Sequence, residues 1–221
     1  MVAGGSGRRF GGRKQFLPLA GHPVASWSVR AALSVADGVV LVVPEADGGD
    51  AEDPLPAPGT SGDDAYGATA VVTGGVTRAD SVRAGLAVVP AGTSVVIVHD
   101  AARPLAGPDL FAAVVAAVRA GDVDGAVPVV PVADTLKRVR GARVVATVDR
   151  DDLVAIQTPQ AFTADALRAA HAGGGDATDD AGLLEAAGLS VATVPGDPRN
   201  LKLTRPEDLA LAEALLAGVR P

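Results

Sequence analysis

Residues 95–130 read VVIVHDAARPLAGPDLFAAVVAAVRAGDVDGAVPVV, and this stretch decides the fold class of the chain. Two β-branched runs in it, Val95–Val98 and Ala126–Val130, have the length and composition of buried strands. Between them, apolar residues recur at i, i+1, i+4, i+5 and i+8, which places them on one helix stripe: Leu110, Phe111, Val114, Val115 and Val118. Alternation of strands and helices in this way predicts a mostly parallel sheet with helices packed on its faces.

The same alternation continues on both sides of this stretch. Further strands are predicted at Val39–Val43, Ala70–Thr73 and Ser190–Val194, and Val2–Ala3 has the composition of the end of a first strand. A helix is predicted at Ser26–Ala36. The chain therefore predicts an α/β fold, with one domain over residues 1–221, a Rossmann-like, mostly parallel twisted sheet, and helices on both faces.

Two more helices are predicted from their capping residues. Thr178 can cap a helix whose first turn contains Asp179 and Asp180, where the helix dipole favours anions. The sequence Thr204–Glu207 is typical of a capping box, with Pro206 in the first helical turn.

Two segments interrupt the alternation. Residues 44–66 carry seven acids and no base and are rich in Gly and Pro, which predicts a mobile, solvated loop. Residues 134–149 read DTLKRVRGARVVATVD, two strand-like runs around Gly141, which predicts an antiparallel hairpin. Because projecting hairpins often make subunit contacts, we expect an arm at about 134–156 that is used for dimerisation.

Composition excludes several classes of protein. The chain has 221 residues, a net charge of −7 and 3% aromatic residues, so it lacks the basic surface and stacking aromatics of nucleic-acid-binding proteins. The absence of cysteine excludes disulfides, zinc–thiolate sites and a cysteine nucleophile. No apolar run is long enough to span a membrane, and the N-terminus has no apolar signal core. We therefore expect a cytoplasmic protein without nucleic-acid or membrane partners.

The segment AGGSGRRFGGRKQ (3–15) is a candidate phosphate-binding loop. Its glycines expose backbone N–H groups that can bind phosphate oxygens, and its four cations can neutralise a polyphosphate: Arg8, Arg9, Arg13 and Lys14. A Rossmann G-x-G-x-x-G motif is excluded because Phe10 stands where the last glycine is required. A Walker A motif is excluded because Gly12 is followed by Arg13-Lys14-Gln15, which places no hydroxyl residue where the motif requires one.

The Gly-rich segment is the first of several motifs that span nearly the whole chain. The others are GGVTRADSVRAG (74–85), HDAARP (99–104), PVADTLK (131–137), VDR (148–150), QTPQAF (157–162), TDD (178–180) and NLKLTRPEDL (200–209). In this order they resemble the 2-C-methyl-D-erythritol 4-phosphate cytidylyltransferase family of the non-mevalonate isoprenoid pathway. The resemblance implies a fold of the nucleotide-diphospho-sugar transferase type. It also implies transfer of CMP from CTP to the phosphate of 2-C-methyl-D-erythritol 4-phosphate, with release of pyrophosphate.

The resemblance further implies roles for individual residues. Three cations would stabilise the charge that builds on the transferring phosphate: Arg9, Lys14 and Lys202. The implied contacts with CTP are Ala3, Gly4, Gly5, Gly7, Gly75, Arg78, Ser81, Asp100 and Ala101. The implied cofactor is magnesium, Mg²⁺, bound mainly by phosphate oxygens of CTP, with Asp100 as a candidate protein ligand.

The second substrate implied by the resemblance is a small polyol phosphate. Its implied contacts are Arg103, Thr135, Arg150, Thr158 and Thr178. Arg150 would reach the substrate from the hairpin of a neighbouring subunit, so we expect a homodimer with a composite active site. His99, by contrast, has the position of a packed histidine at a strand end.

Two alternatives stay open at the level of sequence. A related cytidylyltransferase that acts on ribitol 5-phosphate would share the same phosphate-binding and nucleotide-binding motifs. A non-catalytic nucleotide-binding homologue is favoured by the short first strand and by Arg13, which stands where the family has proline. The presence of Arg9, Lys14 and Lys202 argues against this second alternative.

Overall fold

The computed structural model describes residues 1–4, 10, 13–45, 56–175 and 177–218. The helices in this part of the chain are α1 (Val24–Leu33), α2 (Arg78–Leu86), α3 (Pro108–Arg119), α4 (Ala164–Ala172), α5 (Asp180–Ala186) and α6 (Glu207–Gly218). None of them is both long enough and apolar enough to cross a bilayer.

The strands fall into a central sheet and two small hairpins. The first hairpin is formed by β1 (Pro18–Leu19) and β2 (His22–Pro23), and the second by β7 (Leu136–Arg140) and β8 (Arg143–Val148). The remaining strands are β3 (Val40–Val43), β4 (Ala70–Thr73), β5 (Val95–Val98), β6 (Gly125–Pro131), β9 (Val154–Ile156), β10 (Gln160–Thr163) and β11 (Val191–Pro195).

The central sheet has the spatial order β4–β3–β5–β10–β6–β11. Val2 lies between β3 and β5, where its parallel bridges with Val42 and Asp100 join the two halves of the sheet. The strands of this order run parallel except β10, which is antiparallel to both β5 and β6. The sheet is thus mostly parallel, as predicted, and Val2 takes the position of the predicted first strand through these two bridges.

Helices cover both faces of the central sheet because alternate strand residues point to opposite sides. Ala161 of β10 packs among apolar residues of α3, whereas Phe162 packs among those of α4 and α5. The same division separates Ala126 from Val127 in β6. Phe162 is fully buried, and burial of such a side chain contributes about 1.5–3 kcal/mol.

The predicted strands and helix with a regular apolar or β-branched pattern are confirmed. The strands at Ala70–Thr73 and Val95–Val98 have the predicted bounds, and α3 buries the whole predicted stripe. The strand β10, in contrast, was not predicted, because its sequence QAFT contains neither valine nor isoleucine. It is a strand because it fits between β5 and β6 and buries Phe162 there.

The hairpin predicted at 134–149 is present as the antiparallel pair β7–β8, with Gly141 in the turn at φ 58°. The positive φ explains why glycine stands at this position. The residues of both strands are mostly exposed. The use of the hairpin as a subunit contact stays a prediction.

Two helix starts differ from the prediction. The start of α5 is capped by Asp179, whose carboxylate accepts a first-turn N–H at 3.1 Å, and not by Thr178, which is exposed. At α6, Asp208 rather than Glu207 accepts the backbone N–H groups of residues 204 and 205, at 2.6 and 2.7 Å. In both cases the carboxylate that accepts the bond lies one residue after the predicted residue. Sequence spacing does not determine which of two neighbouring side chains accepts the backbone N–H.

The acidic segment 44–66 lies only partly among the described residues, because 46–55 fall outside them. In the described part, Gly62–Ala65 forms a 3-10 turn, and Ala65 is fully buried in the core cluster of α1 and β3. Gly62, Asp63 and Asp64 are exposed, as the prediction of a solvated loop requires, and within this turn the prediction fails for Ala65. Ala65 attaches this turn to the core, and the acid-rich composition of the segment did not indicate this contact.

We predict that Gly125→Ala destabilises the fold, because a Cβ at this position of β6 would lie 2.5 Å from the ring of Phe162. Overpacking of this kind costs about 1–3 kcal/mol of unfolding free energy, which urea denaturation measures. Gly173→Ala is the matched control, since Gly173 is the C-cap of α4 in a helical conformation with open space around it. An equal effect of both substitutions would contradict the close packing of β6 on Phe162.

Candidate active site

Residues of the sequence motifs meet at the carboxyl edge of the central sheet. Ala3–Gly4 follows the bridge at Val2, Gly74–Gly75 follows β4, and Asp100 follows β5. Since β3, β4 and β5 are parallel and Val2 forms parallel bridges between β3 and the end of β5, the residues that follow them lie at the same edge. Ligands of open α/β sheets bind at this edge.

Asp100 is the centre of a cluster of charged groups. Its Oδ2 accepts a hydrogen bond from Nζ of Lys202 at 2.6 Å, and its Oδ1 accepts one from Nε of Arg78 at 3.3 Å. Burial alone would raise the pKa of the Asp100 carboxyl group, but the charges of Lys202 and Arg78 outweigh burial and lower this pKa far below its usual range. Asp100 is therefore ionised at neutral pH and fixes two cations at the sheet edge.

Arg78 extends this cluster to a second carboxylate. Its Nη1 donates to Oδ2 of Asp180 at 2.7 Å, while Nε2 of His171 donates to the other oxygen of the same carboxylate at 2.9 Å. Asp180 is 0% exposed. Burial would lower the pKa of Arg78, but Asp180 and Asp100 outweigh burial and raise it. Arg78 thus stays charged and bridges two buried carboxylates.

Glycines bring two loops into contact around Ser81. A Cβ on Gly4 or Gly74 would lie 3.0 or 2.7 Å from the Ser81 hydroxyl oxygen, and a Cβ on Gly75 would lie 2.2 Å from Cβ of Asp80. The same Ser81 oxygen accepts the N–H of Gly75 at 3.2 Å. Both loops therefore approach α2 at distances that only glycine permits.

Lys14 lies beside the start of the site. The next residue, Gln15, is buried and donates from its side-chain amide to the carbonyl of Ala3, which holds the turn of Lys14 against the first loop. The pKa of Asp208 is lowered. Burial alone would raise this pKa, but hydrogen bonds from the N–H groups of residues 205 and 204 and the charges of Arg205 and Lys14 outweigh burial. Lys14 is thus close to the motif that contains Lys202.

Arg103 and Thr158, two of the implied substrate contacts, lie next to this cluster. Nη1 of Arg103 donates to the carbonyl of Asn200 at 2.7 Å, and burial lowers the pKa of Arg103. The hydroxyl oxygen of Thr158 accepts the backbone N–H of Asp100 at 3.1 Å. Ala101, an implied CTP contact, is fully buried directly after Asp100.

Other predicted site residues are not part of this cluster. Thr135, Arg150 and Thr178 are exposed and, among the described residues, make none of the hydrogen bonds reported above. Arg150 donates instead to the carbonyl of Ala133. The loop residues Arg9, Gly5 and Gly7 lie outside the described residues, so their roles stay predictions.

Sequence reasoning assigned no site role to Asp180, His171, Gln15 or Asn200. Three of these residues stand inside the recognised motifs, as the last residue of TDD, the last of RKQ and the first of the segment 200–209. For these three residues, their position inside a motif was the signal in the sequence that could have indicated a role in the site. His171 lies outside every motif, and only the structure pairs it with Asp180.

The chain matches the family model described as 2-C-methyl-D-erythritol 4-phosphate cytidylyltransferase over residues 1–218. A protein of that name from Nocardia farcinica is 46% identical over 219 residues, which cover 97% of this chain and 91% of the relative. The chain belongs to the 2-C-methyl-D-erythritol 4-phosphate cytidylyltransferase family.

Two further relatives support the family and the fold. A protein of the same name from Frankia casuarinae is 55% identical over 153 residues, which cover 68% of this chain and 57% of the length of that protein. The crystal structure of 2-C-methyl-D-erythritol 4-phosphate cytidylyltransferase from Thermus thermophilus superposes with a TM-score of 0.79 at 35% identity. That superposition covers 98% of this chain and 96% of the Thermus chain.

The donor groups of this cytidylyltransferase site fit a magnesium ion that is bound mostly by a nucleotide. Among the described residues, no three His, Asp or Glu side chains come together as a metal-binding group. Asp100 offers one carboxylate at the sheet edge, and each of its oxygens keeps a lone pair beyond its contact with Lys202 or Arg78. Magnesium typically takes one or two carboxylates together with substrate phosphate oxygens.

We predict that Arg78→Lys strongly destabilises the protein, because an ammonium group cannot reach both Asp100 and Asp180 and one of these buried carboxylates loses its contact with the cation. The expected loss of unfolding free energy is about 2–4 kcal/mol, measured by guanidinium denaturation. Arg83→Lys on the same helix is the control, since Arg83 makes a partly exposed pair with Asp80 and should change stability by less than about 1 kcal/mol. Similar losses in both variants would contradict the bridging role of Arg78.

Proposed function

We propose that this protein transfers the cytidylyl group of CTP to the phosphate of 2-C-methyl-D-erythritol 4-phosphate. A phosphate oxygen of the polyol phosphate bonds to the α-phosphorus of CTP, and the bond from this phosphorus to the bridging oxygen breaks. The electron pair of that bond leaves with pyrophosphate, and 4-diphosphocytidyl-2-C-methyl-D-erythritol is the other product. One observation carries the proposal: in a chain of this family, Lys202, Asp100 and Arg78 form one charged cluster at the ligand-binding edge of the sheet.

Positive charge is the main catalytic requirement of this reaction, since negative charge is spread over the oxygens of the transferring group. The side chain of Lys202 is 45% exposed although its amine is paired with Asp100, so it can also reach an anionic ligand. In the proposal, Lys202 acts on the transferring phosphate together with Lys14 and Arg9 of the Gly-rich loop. A phosphate nucleophile is already anionic at neutral pH and requires no general base.

The environment of His99 agrees with a reaction without a histidine base. Burial lowers the pKa of His99 to about 3, so its ring is neutral at physiological pH. Its two ring nitrogens lie within hydrogen-bonding distance of Arg103 and Thr158. His99 is therefore a packed histidine, as its sequence position predicted.

The two glycine loops are the proposed binding site of the nucleotide. Gly75 and Ser81 would contact the cytosine and ribose, and the Gly-rich loop that begins at Ala3–Gly4 would bind the triphosphate through backbone N–H groups. Magnesium, with Asp100 as its protein ligand, would neutralise charge on the phosphate oxygens. A cytoplasmic location is part of the same proposal.

The proposed active form is a homodimer with a composite site. Large apolar side chains are exposed on the hairpin and on the segment that follows it: Val139, Val144, Val145, Leu153, Val154 and Ile156. Such a patch on one projecting element is typical of a protein interface. Thr135 and Arg150 lie in the same region, so a neighbouring subunit could bring them to the polyol phosphate.

The two alternatives differ from this proposal in measurable ways. A ribitol 5-phosphate cytidylyltransferase would have a higher kcat/KM on ribitol 5-phosphate than on 2-C-methyl-D-erythritol 4-phosphate. A non-catalytic homologue would bind CTP without release of pyrophosphate. We favour the methylerythritol substrate because the family model and the relatives reported above carry its name.

We predict that Lys202→Ala and Lys14→Ala each lower kcat at least about 100-fold, the effect expected from loss of one preorganised charge. The measurement is the rate of pyrophosphate release with CTP, Mg²⁺ and 2-C-methyl-D-erythritol 4-phosphate. Arg119→Ala is the control, because Arg119 is exposed at the end of α3, away from the carboxyl edge. No release by the unmodified protein would refute the function, and wild-type turnover by Lys202→Ala would refute the role of Lys202.

We predict that two inactive variants restore activity when they form a mixed dimer. In a dimer of Arg150→Ala with Lys14→Ala, one of the two composite sites contains both native residues, so an equimolar mixture that exchanges subunits should regain about a quarter of wild-type activity. A mixture of Lys14→Ala with Lys202→Ala should regain none, because both residues belong to the same side of the site. Absence of recovery in the first mixture would mean that Arg150 acts within its own chain.

A further inference from the structure

A ring of buried hydrogen bonds lies behind the charged cluster at Asp100. Its members come from three motifs of the sequence: His99 and Arg103 from HDAARP, Thr158 from QTPQAF and Asn200 from the segment 200–209. His99 is 1%, Thr158 5% and Asn200 0% exposed. The ring therefore joins protein groups to one another, and its bonds have defined directions.

The direction of each bond at His99 follows from the partner atoms. The carbonyl of Arg103, 3.2 Å from Nε2, can only accept, so Nε2 carries a proton. The Thr158 hydroxyl is buried and its other partner is an N–H donor, so its proton is directed to the lone pair of Nδ1 at 3.0 Å. With its proton directed to His99, the Thr158 oxygen has a lone pair for the backbone N–H of Asp100 at 3.1 Å.

The other half of the ring leads to Lys202. Nδ2 of Asn200 donates to the carbonyl of Thr158 at 2.9 Å, and the carbonyl of Asn200 accepts from Nη1 of Arg103 at 2.7 Å. Lys202 follows Asn200 by two residues in the same segment. The ring thus holds the backbone on both sides of the ion pair between Lys202 and Asp100, which is 2.6 Å long.

We propose that His99 is a positioning residue of the cytidylyl transfer: it directs the Thr158 hydroxyl so that the oxygen of Thr158 holds the Asp100 backbone against Lys202. This inference rests on the proposed function. The ring of His99 is itself held in place by Phe111, whose ring centroid lies 5.0 Å away. Since displacement of a catalytic group by about 1 Å can cost about 100-fold in rate, the loss of this support should act on kcat.

Three substitutions test the two hydrogen bonds of His99 independently of each other. The side-chain oxygen of asparagine takes the place of Nδ1, so His99→Asn keeps an acceptor for Thr158. The amide of glutamine takes the place of Nε2, so His99→Gln keeps the donor to Arg103 and loses the acceptor. His99→Phe keeps only the ring shape. Steady-state kinetics and thermal denaturation are measured for all three variants and the wild type.

The expected result is a separation of kcat from KM and from stability. His99→Asn should keep kcat within about fivefold of wild type, whereas His99→Gln and His99→Phe should lower kcat at least tenfold, with KM for CTP within about threefold, since geometry and not CTP binding is disturbed. Wild-type kcat in His99→Gln would overturn the inference. The inference would also be overturned if kcat falls in all three variants and the size of each fall follows only the fall in melting temperature.

A second measurement uses the unmodified protein and is independent of activity. A long-range ¹H–¹⁵N correlation spectrum at pH 7 reports which nitrogen of each histidine carries the proton. The chain has three histidines, so spectra of the His22→Gln variant and of the wild type assist the assignment. The Nε2–H tautomer of His99 is expected, and the Nδ1–H tautomer would overturn the inference even if no substituted protein folds.

The two measurements also distinguish failure of this inference from failure of the proposed function. If the wild type releases no pyrophosphate, the proposed function fails and the positioning role fails with it, whatever the tautomer. If the wild type turns over and His99→Gln turns over equally well, only the positioning role fails.

Discussion

A buried carboxylate at the end of β5 determines the arrangement of the site. An unpaired charge in the position of Asp100 would cost several kcal/mol, and Lys202 and Arg78 remove this cost by pairing with its two oxygens. Lys202 stays partly exposed while it makes this contact. A cation is therefore held at the sheet edge before any ligand arrives, and such preorganisation is what electrostatic catalysis requires.

The fold could be predicted from the sequence wherever apolar or β-branched residues follow a regular pattern along the chain. In α3 the apolar spacing alone identified the buried stripe, because a helix turns every residue by the same angle. In β10 no property repeats, and the strand exists because β5 and β6 leave room for it and Phe162 fills the core there. The caps of α5 and α6 lie one residue beyond the predicted ones, since Thr178 and Asp179, like Glu207 and Asp208, can both accept a backbone N–H and only the local backbone decides between them.

The candidate site could be predicted in part for a related reason. Asp100, Arg78 and Lys202 stand in motifs and lie in one cluster. Asp180 and Asn200 also stand in motifs, but their side chains bond to other protein groups, and such pairs are set by the fold and not by spacing in the chain. Thr158 shows the consequence, because a residue expected to touch the substrate has its hydroxyl engaged inside the protein.

The long sequence separation of these contacts couples the site to the whole fold. Lys202 and Asp100 are 102 residues apart, and so are Arg78 and Asp180. The pair of Arg78 and Asp180 connects the two halves of the sheet, and the pair of Lys202 and Asp100 requires the segment after β11 to pack back against the end of β5. Local opening of the last segment would separate Lys202 from Asp100 and leave a buried carboxylate without one of its two cations. The cost of that unpaired charge opposes the opening, so the ion pair that organises the site also stabilises the attachment of the segment that carries Lys202.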